Sequence, residues 1–167
     1  MRLLGLDPGL QRTGWGVVDV DGNHVRFRAA GVVTTDPALS LAGRLCMLYQ
    51  GLDEVVRDQR PDAAAVEETV VNVNGASSLK LGHARGVVLL VAAHAGLEVA
   101  EYASKTVKRA VVGTGGAQKR QVAMMVATLL PGSGRPVADA ADALAVALCH
   151  AHHHATRRRI EGALALP

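Results

Sequence analysis

Leu3-Leu4-Gly5-Leu6-Asp7-Pro8-Gly9-Leu10-Gln11-Arg12-Thr13-Gly14-Trp15-Gly16-Val17-Val18 is an apolar run that ends in a carboxylate, turns at Pro-Gly, and resumes after Gly14. It reads as strand, tight polar turn, strand. Asp7 then stands at a strand's C-terminal end, on rigid backbone but facing the loops, where sites on open sheets tend to lie. Gly9, Gly14 and Gly16 lack Cβ and are expected to let a phosphate backbone or nucleotide approach closely. An ordinary hairpin with an Asp-Pro-Gly turn uses the same residue types. The rest of the chain separates the two readings, because it supplies three more carboxylates and a basic stretch.

Working outward, residues 13–20 and 24–33 read as two further strands joined at Asp21-Gly22-Asn23. Apolar and basic residues alternate through Val25-Arg26-Phe27-Arg28-Ala29, the period of a strand with one wet face. The chain therefore begins as an antiparallel meander. Pro37 and Ser40 introduce a helix of about 18 residues whose stripe is Leu41, Leu45, Leu48, Leu52 and Val55; Arg60-Pro61 ends it. Residues 62–68 form a short apolar run ending in Glu67-Glu68, a buried parallel strand with acid at its C-terminal end. Alternation points Glu68 away from the side of Glu67. A loop over 70–76 follows. Ser77 or Ser78 caps a helix to His94 whose second half, Gly86–Ala93, is apolar on every face, which predicts deep burial or a dimer interface. Leu97–Tyr102 is a strand, and Ser104 caps a helix through Lys108 and Arg109 that Gly113–Gly116 breaks. A helix from Ala117 to Leu130 carries Lys119 and Arg120 in its first turn. After the linker Pro131–Pro136, the last helix opens near Val137 with Asp139 and Asp142 on one face. The expected organisation is a single domain over 1–155 and a basic tail over 156–167 whose order the sequence leaves open.

The 167 residues are 49% apolar and 20% charged, the balance of a soluble globular protein. No apolar run approaches the ~18 residues of a membrane span, and no secretory signal is visible. Cys46 and Cys149 have no paired spacing, consistent with reduced thiols and a cytoplasmic location. The net charge of +3 is unevenly spread. Residues 53–68 are acidic, whereas 101–120 hold Lys105, Lys108, Arg109, Lys119 and Arg120 against Glu101 alone. Cations in a helix's first turn oppose its dipole, so Lys119 and Arg120 call for another role, and phosphate contact is one. The run His150, His152, His153 and His154 is read as a solvated tail, because catalytic metal sites need rigid support.

If the first and fourth strands are neighbours, Asp7 and Glu67 meet, and the last helix adds Asp139 and Asp142. Four carboxylates on one spot repel unless a cation lies between them. Hard oxygen donors favour Mg²⁺ or Mn²⁺ over zinc. Two such ions activate a water and stabilise the leaving oxygen of a phosphodiester in one in-line displacement.

Leu6-Asp7-Pro8-Gly9, Val66-Glu67-Glu68, Leu79-Lys80-Leu81-Gly82-His83-Ala84-Arg85-Gly86 and Asp139-Ala140-Ala141-Asp142-Ala143-Leu144, in this order over residues 1 to 150, resemble the bacterial RuvC family of Holliday-junction resolvases. Each motif alone is weak; the ordered set is specific. The resemblance implies an α/β, RNase H-like mixed sheet (antiparallel first three strands, then parallel ones) flanked by helices. It also implies a homodimer, Mg²⁺-dependent paired nicking of four-way DNA junctions, and cooperation with the RuvA–RuvB branch-migration complex. Carried over by position, Asp7, Glu67, Asp139 and Asp142 are the catalytic, metal-binding acids, and Lys108 and Lys119 lie near the scissile phosphates. Arg120, Val70, and Arg85 within its motif, are further candidate DNA contacts. Val70 stands where some members carry an aromatic that stacks on a base.

The leading expectation is thus a structure-selective endonuclease acting in DNA recombination and repair. A ribonuclease on RNA–DNA hybrids would share the acids but not the match over Lys80–Gly86. An actin- or sugar-kinase-like ATPase needs a second duplicated domain that this length cannot hold. A junction-binding module without catalysis would not need four acids.

Overall fold

The structure, a computed structural model, describes residues 1–68 and 75–164, with side chains through Thr156. Strands β1 (Arg2–Asp7), β2 (Arg12–Asp21) and β3 (His24–Thr34) are followed by α1 (Leu41–Gln59), β4 (Ala63–Glu67), α2 (Gly75–His94) and β5 (Glu98–Tyr102). Three helices complete the fold: α3 (Ser104–Val112), α4 (Lys119–Leu129) and α5 (Ala138–Leu164). The five strands lie in the order β3-β2-β1-β4-β5. β1, β2 and β3 pair antiparallel, while β4 pairs parallel to β1 and β5 parallel to β4. This is the expected mixed sheet. The αL glycine Gly22 (φ 57°) makes the β2–β3 turn.

Side-chain alternation divides the sheet into two faces. Leu4, Leu6, Val17, Ala64 and Val66 point to α1 and α2, whereas Leu3, Val18, Ala63 and Ala65 point to α3, α4 and α5. By the same alternation Asp7 and Glu67 belong to the α5 face.

In α1 the Ser40 hydroxyl accepts from the Gly43 N–H at 3.2 Å, and Arg60 closes the helix in the left-handed region. Its buried stripe is Leu48, Leu52 and Val56; Leu41 is exposed, so the apolar pattern leaves the sheet at the helix's first turn. α2 opens at Gly75, two residues before Ser77, so neither Ser77 nor Ser78 is its cap. Ser104 is likewise already inside α3; the cap position is Ala103, which has no side-chain cap. α4 starts two residues later than Ala117, where the Gln118 N–H donates to Oε1 of Gln121 at 2.8 Å. α5 continues to Leu164, so the segment 156–164 extends this helix, with no proline to stop it. The loop expected over 70–76 falls mostly on residues 69–74, outside the described residues.

α5 is the central helix. From Ala143 to Cys149 every residue is buried, one side against the sheet and the other under α3 and α4. Glycines set its distance from the strands. A Cβ on Gly5 would run into the carbonyl oxygen of Ala143, one on Gly14 into that of Asp139, and one on Gly16 would lie 2.7 Å from Leu144. The space expected for a phosphate or nucleotide at Gly14 and Gly16 is filled by the protein's own helix. Gly9 serves the turn itself, since its Cβ would strike the Arg12 carbonyl.

Gly14→Ala is expected to lower the unfolding free energy by about 1–3 kcal/mol or more, the scale of overpacking a closed core. Gly132→Ala, whose Cβ would sit at an ordinary 3.6 Å from Phe27, is expected to stay within about 0.5 kcal/mol of wild type. Urea unfolding of the two variants checks this.

Candidate active site

Asp7 and Glu67 are the last residues of β1 and β4, one step beyond the paired Leu6 and Val66. Parallel neighbours in register bring their carboxyl groups side by side at the C-terminal edge of the sheet. Asp139 and Asp142 come from the first turns of α5, held over the same edge by the Gly14 contact. The loop between β1 and β2 is tied down by Thr13, which is fully buried. Its hydroxyl donates to the Gly9 carbonyl at 2.7 Å and accepts from the Gly9 N–H at 3.2 Å.

The four acids feel one another. Burial first, then the charges of Glu67, Asp142 and Asp139, push the Asp7 carboxyl up to about 7, with Lys119 opposing. Burial also raises Glu67, against a hydrogen bond from Ser104 and the charges of Lys119 and Lys108. Ser104, expected as a helix cap, thus turns to Glu67 instead. The α5 acids are engaged by cations. Lys119 Nζ donates to Asp142 Oδ2 at 2.8 Å, and Arg12 Nε to Asp139 Oδ2 at 2.6 Å. The Lys119 side chain is 81% exposed and that of Arg12 49%, so each pair is worth at most about 1 kcal/mol.

With the α5 acids turned to these cations, no three His, Cys, Asp or Glu among the described residues form a ready cage for an ion. The donor set nonetheless fits a hard divalent cation. It consists of carboxylate oxygens, and the charges of Glu67, Asp142 and Asp139 add to burial in raising Asp7, with Lys119 opposing.

The other candidates are placed differently. Lys108 on α3 is near enough to lower Glu67, so it belongs to the site. Arg120 lines a groove of about 630 Å³ with Met124 and Arg135 on the outer side of α4. Arg85 forms an ion pair with Glu101 on β5. Glu101 pairs with Val66 and so shares the α1–α2 face, opposite the acids. Val70 lies outside the described residues. Sequence reasoning missed Arg12, Thr13 and Ser104. A cation five residues after Asp7 in a short turn was the available signal for Arg12.

The family model of crossover junction endodeoxyribonuclease RuvC matches residues 3–150. The protein of that name from Paramagnetospirillum magneticum is 59% identical over 165 residues, covering 99% of both chains. The one from Rhodospirillum rubrum is 61% identical over 155 residues, covering 93% of this chain and 92% of its own. Among solved structures, Thermus thermophilus RuvC in complex with Holliday junction substrate superposes with a TM-score of 0.87 at 37% identity, covering 94% of this chain and 96% of that one. The yeast mitochondrial Holliday junction resolvase Ydc2, at 11% identity and a TM-score of 0.68, shares the fold.

A carboxyl raised from 3.8 to about 7 holds its proton more tightly in the folded state. The stability that this proton contributes is complete below about 4 and is lost as pH rises through 7. Asp7→Asn, which carries no such charge, is therefore expected to be more stable than wild type at pH 8, by on the order of 4 kcal/mol at most. The gap should close as pH falls from 7 to 4. Melts in chelator across this range check it; adding Mg²⁺ at pH 8 should stabilise wild type more than the variant.

Proposed function

The chain belongs to the RuvC family of crossover junction endodeoxyribonucleases, and from that premise we propose that it resolves four-way DNA junctions by Mg²⁺-dependent paired nicking as a homodimer. The observation that carries the reading is the convergence of Asp7, Glu67, Asp139 and Asp142 at one edge of the sheet, flanked by Lys108, Lys119 and Arg12.

The four carboxylates would hold two Mg²⁺ ions, with Mn²⁺ as a substitute. When bound, such ions activate the attacking water and stabilise the leaving oxygen. The protein's own groups do the rest. β1 and β4 hold Asp7 and Glu67 on rigid backbone, and Ser104 favours the ionised form of Glu67. Lys119 and Lys108 bring positive charge from α4 and α3 to the phosphate as water adds to phosphorus and one ester P–O bond breaks. Arg120 extends the basic surface along α4 toward a flanking strand. At Val70 an apolar wedge, rather than a stacking aromatic, would open the junction.

The dimer reading rests on α2. Ala84, Val88, Val91 and Ala92 are buried, yet Leu79 and Leu90 remain 64% and 56% exposed. Between them a Cβ on Gly82 or Gly86 would meet nothing. An apolar stripe with room for a second helix fits a twofold contact between two copies, which would place two sites on one symmetric junction. Cooperation with the RuvA–RuvB complex and a cytoplasmic location are proposed on family membership. No helix of the described residues is long and apolar enough to cross a membrane.

End-labelled four-way junctions, with duplex, single-strand and RNA–DNA hybrid controls, test the activity. Symmetric nicks in the junction alone, requiring Mg²⁺, are expected. Asp7→Asn should bind the junction but cut it ~100-fold more slowly or worse, and Lys119→Ala should also slow cutting. Cutting of the hybrid instead would favour a ribonuclease. Leu90→Glu is expected to sediment as a monomer and to lose paired nicking; a dimeric Leu90→Glu would remove α2 from the interface.

A further inference from the structure

Both carboxylates that α5 brings to the site are covered by a cation, and the two cations come from different layers of the fold. Lys119 reaches Asp142 from α4, and Arg12 reaches Asp139 from the first residue of β2. Lys119 already has a role as a phosphate contact; Arg12 has none. Its backbone is firmly held. Arg12 pairs with Thr34 on β3, and the buried Thr13 next to it pins the turn. The side chain is a different matter, being half exposed at the rim of the site. An ion pair this open to water is weak and screened by salt, so it is a poor device for holding the fold together. It lies, moreover, on a carboxylate that the site needs as a hard oxygen donor. A planar guanidinium displaced from a carboxylate has a natural second partner in phosphate, whose oxygens match the same two-pronged donor geometry.

We propose that Arg12 is a substrate-binding residue of this site, which covers Asp139 in the metal-free protein and passes to a phosphate of the bound DNA strand once that carboxylate engages a divalent ion. The inference rests on the junction-cleaving reading above and deepens it. Metal and DNA then assist each other through one side chain: engaging Asp139 with an ion frees a phosphate ligand, and drawing Arg12 onto DNA frees Asp139. Such coupling is reciprocal by linkage.

Two measurements on the full chain test the two halves. In DNA-free thermal melts titrated with Mg²⁺, Arg12→Ala is expected to reach its half-maximal shift at a roughly threefold lower Mg²⁺ concentration than wild type, because Asp139 no longer has a competing cation. In single-turnover cleavage of a four-way junction at saturating Mg²⁺, the half-saturating enzyme concentration should rise roughly tenfold, and the slope of log affinity against log salt should flatten by about 1. Arg12→Lys, which keeps the charge without the two-pronged fit, should fall between. An unchanged Mg²⁺ midpoint would overturn the covering role. Unchanged half-saturation and salt slope would overturn the DNA contact and leave Arg12 a partner of Asp139 alone. If melts in chelator show Arg12→Ala unfolded, Arg12→Gln carries both measurements under the same criteria. A wild type that cuts no four-way junction sinks the resolvase reading and the DNA contact together, whereas the melts contain no DNA and judge the covering role separately.

Discussion

α5 lies on β1 and β2 at backbone distance, and the site depends on that contact. Gly5, Gly14 and Gly16 remove the side chains that would hold the helix off, and the small Ala143 and Ala147 meet them from the other side. The carbonyl of Asp139 therefore sits directly over Gly14, which is itself the β2 partner of Asp7. One run of close packing thus joins the β1 acid to the α5 acids. A helix standing one side chain farther out would keep the fold and separate the carboxylates. Packing density here is a requirement of the chemistry as well as of stability.

Bringing four acids together creates the opposite problem, since like charges in a half-buried place disfavour ionisation. Three kinds of relief are visible. Asp7 holds its proton to about 7, Glu67 accepts from Ser104, and the α5 acids lean on Lys119 and Arg12. None of these is strong. Two are wet ion pairs, and one is a proton that leaves near neutral pH. A site balanced so lightly is ready to exchange its cations for others.

The opposite face of the sheet has a different task. There Arg85 binds Glu101 and helps fasten α2 to β5, so its charge is spent within the fold. The far side of α2 keeps Leu79 and Leu90 in the open. The four acids and the exposed apolar stripe of α2 thus lie on opposite faces of one sheet, and alternation along each strand keeps them apart.

Much of this was legible in the chain itself. Short apolar runs ending in Asp7 and Glu67, and a helix that puts Asp139 and Asp142 on one face, are read from local pattern, and local pattern is what a sequence encodes directly. The acids' positions on their elements follow from it, whereas the mixed sheet was implied by the family resemblance. Contacts between distant segments do not. Arg12 and Asp139 are 127 residues apart, and nothing in either neighbourhood names the other. Ser104 has the residue type of a helix cap, yet its hydroxyl serves Glu67 because β4 and β5 run side by side. Gly14 and Gly16 announce a close approach, but only the packed structure shows that what approaches is α5. The sequence by itself determined which residues are acids, which are cations and on which element each stands. The tertiary structure decided which cation rests on which acid, because that pairing depends on distances set by packing across the whole sheet.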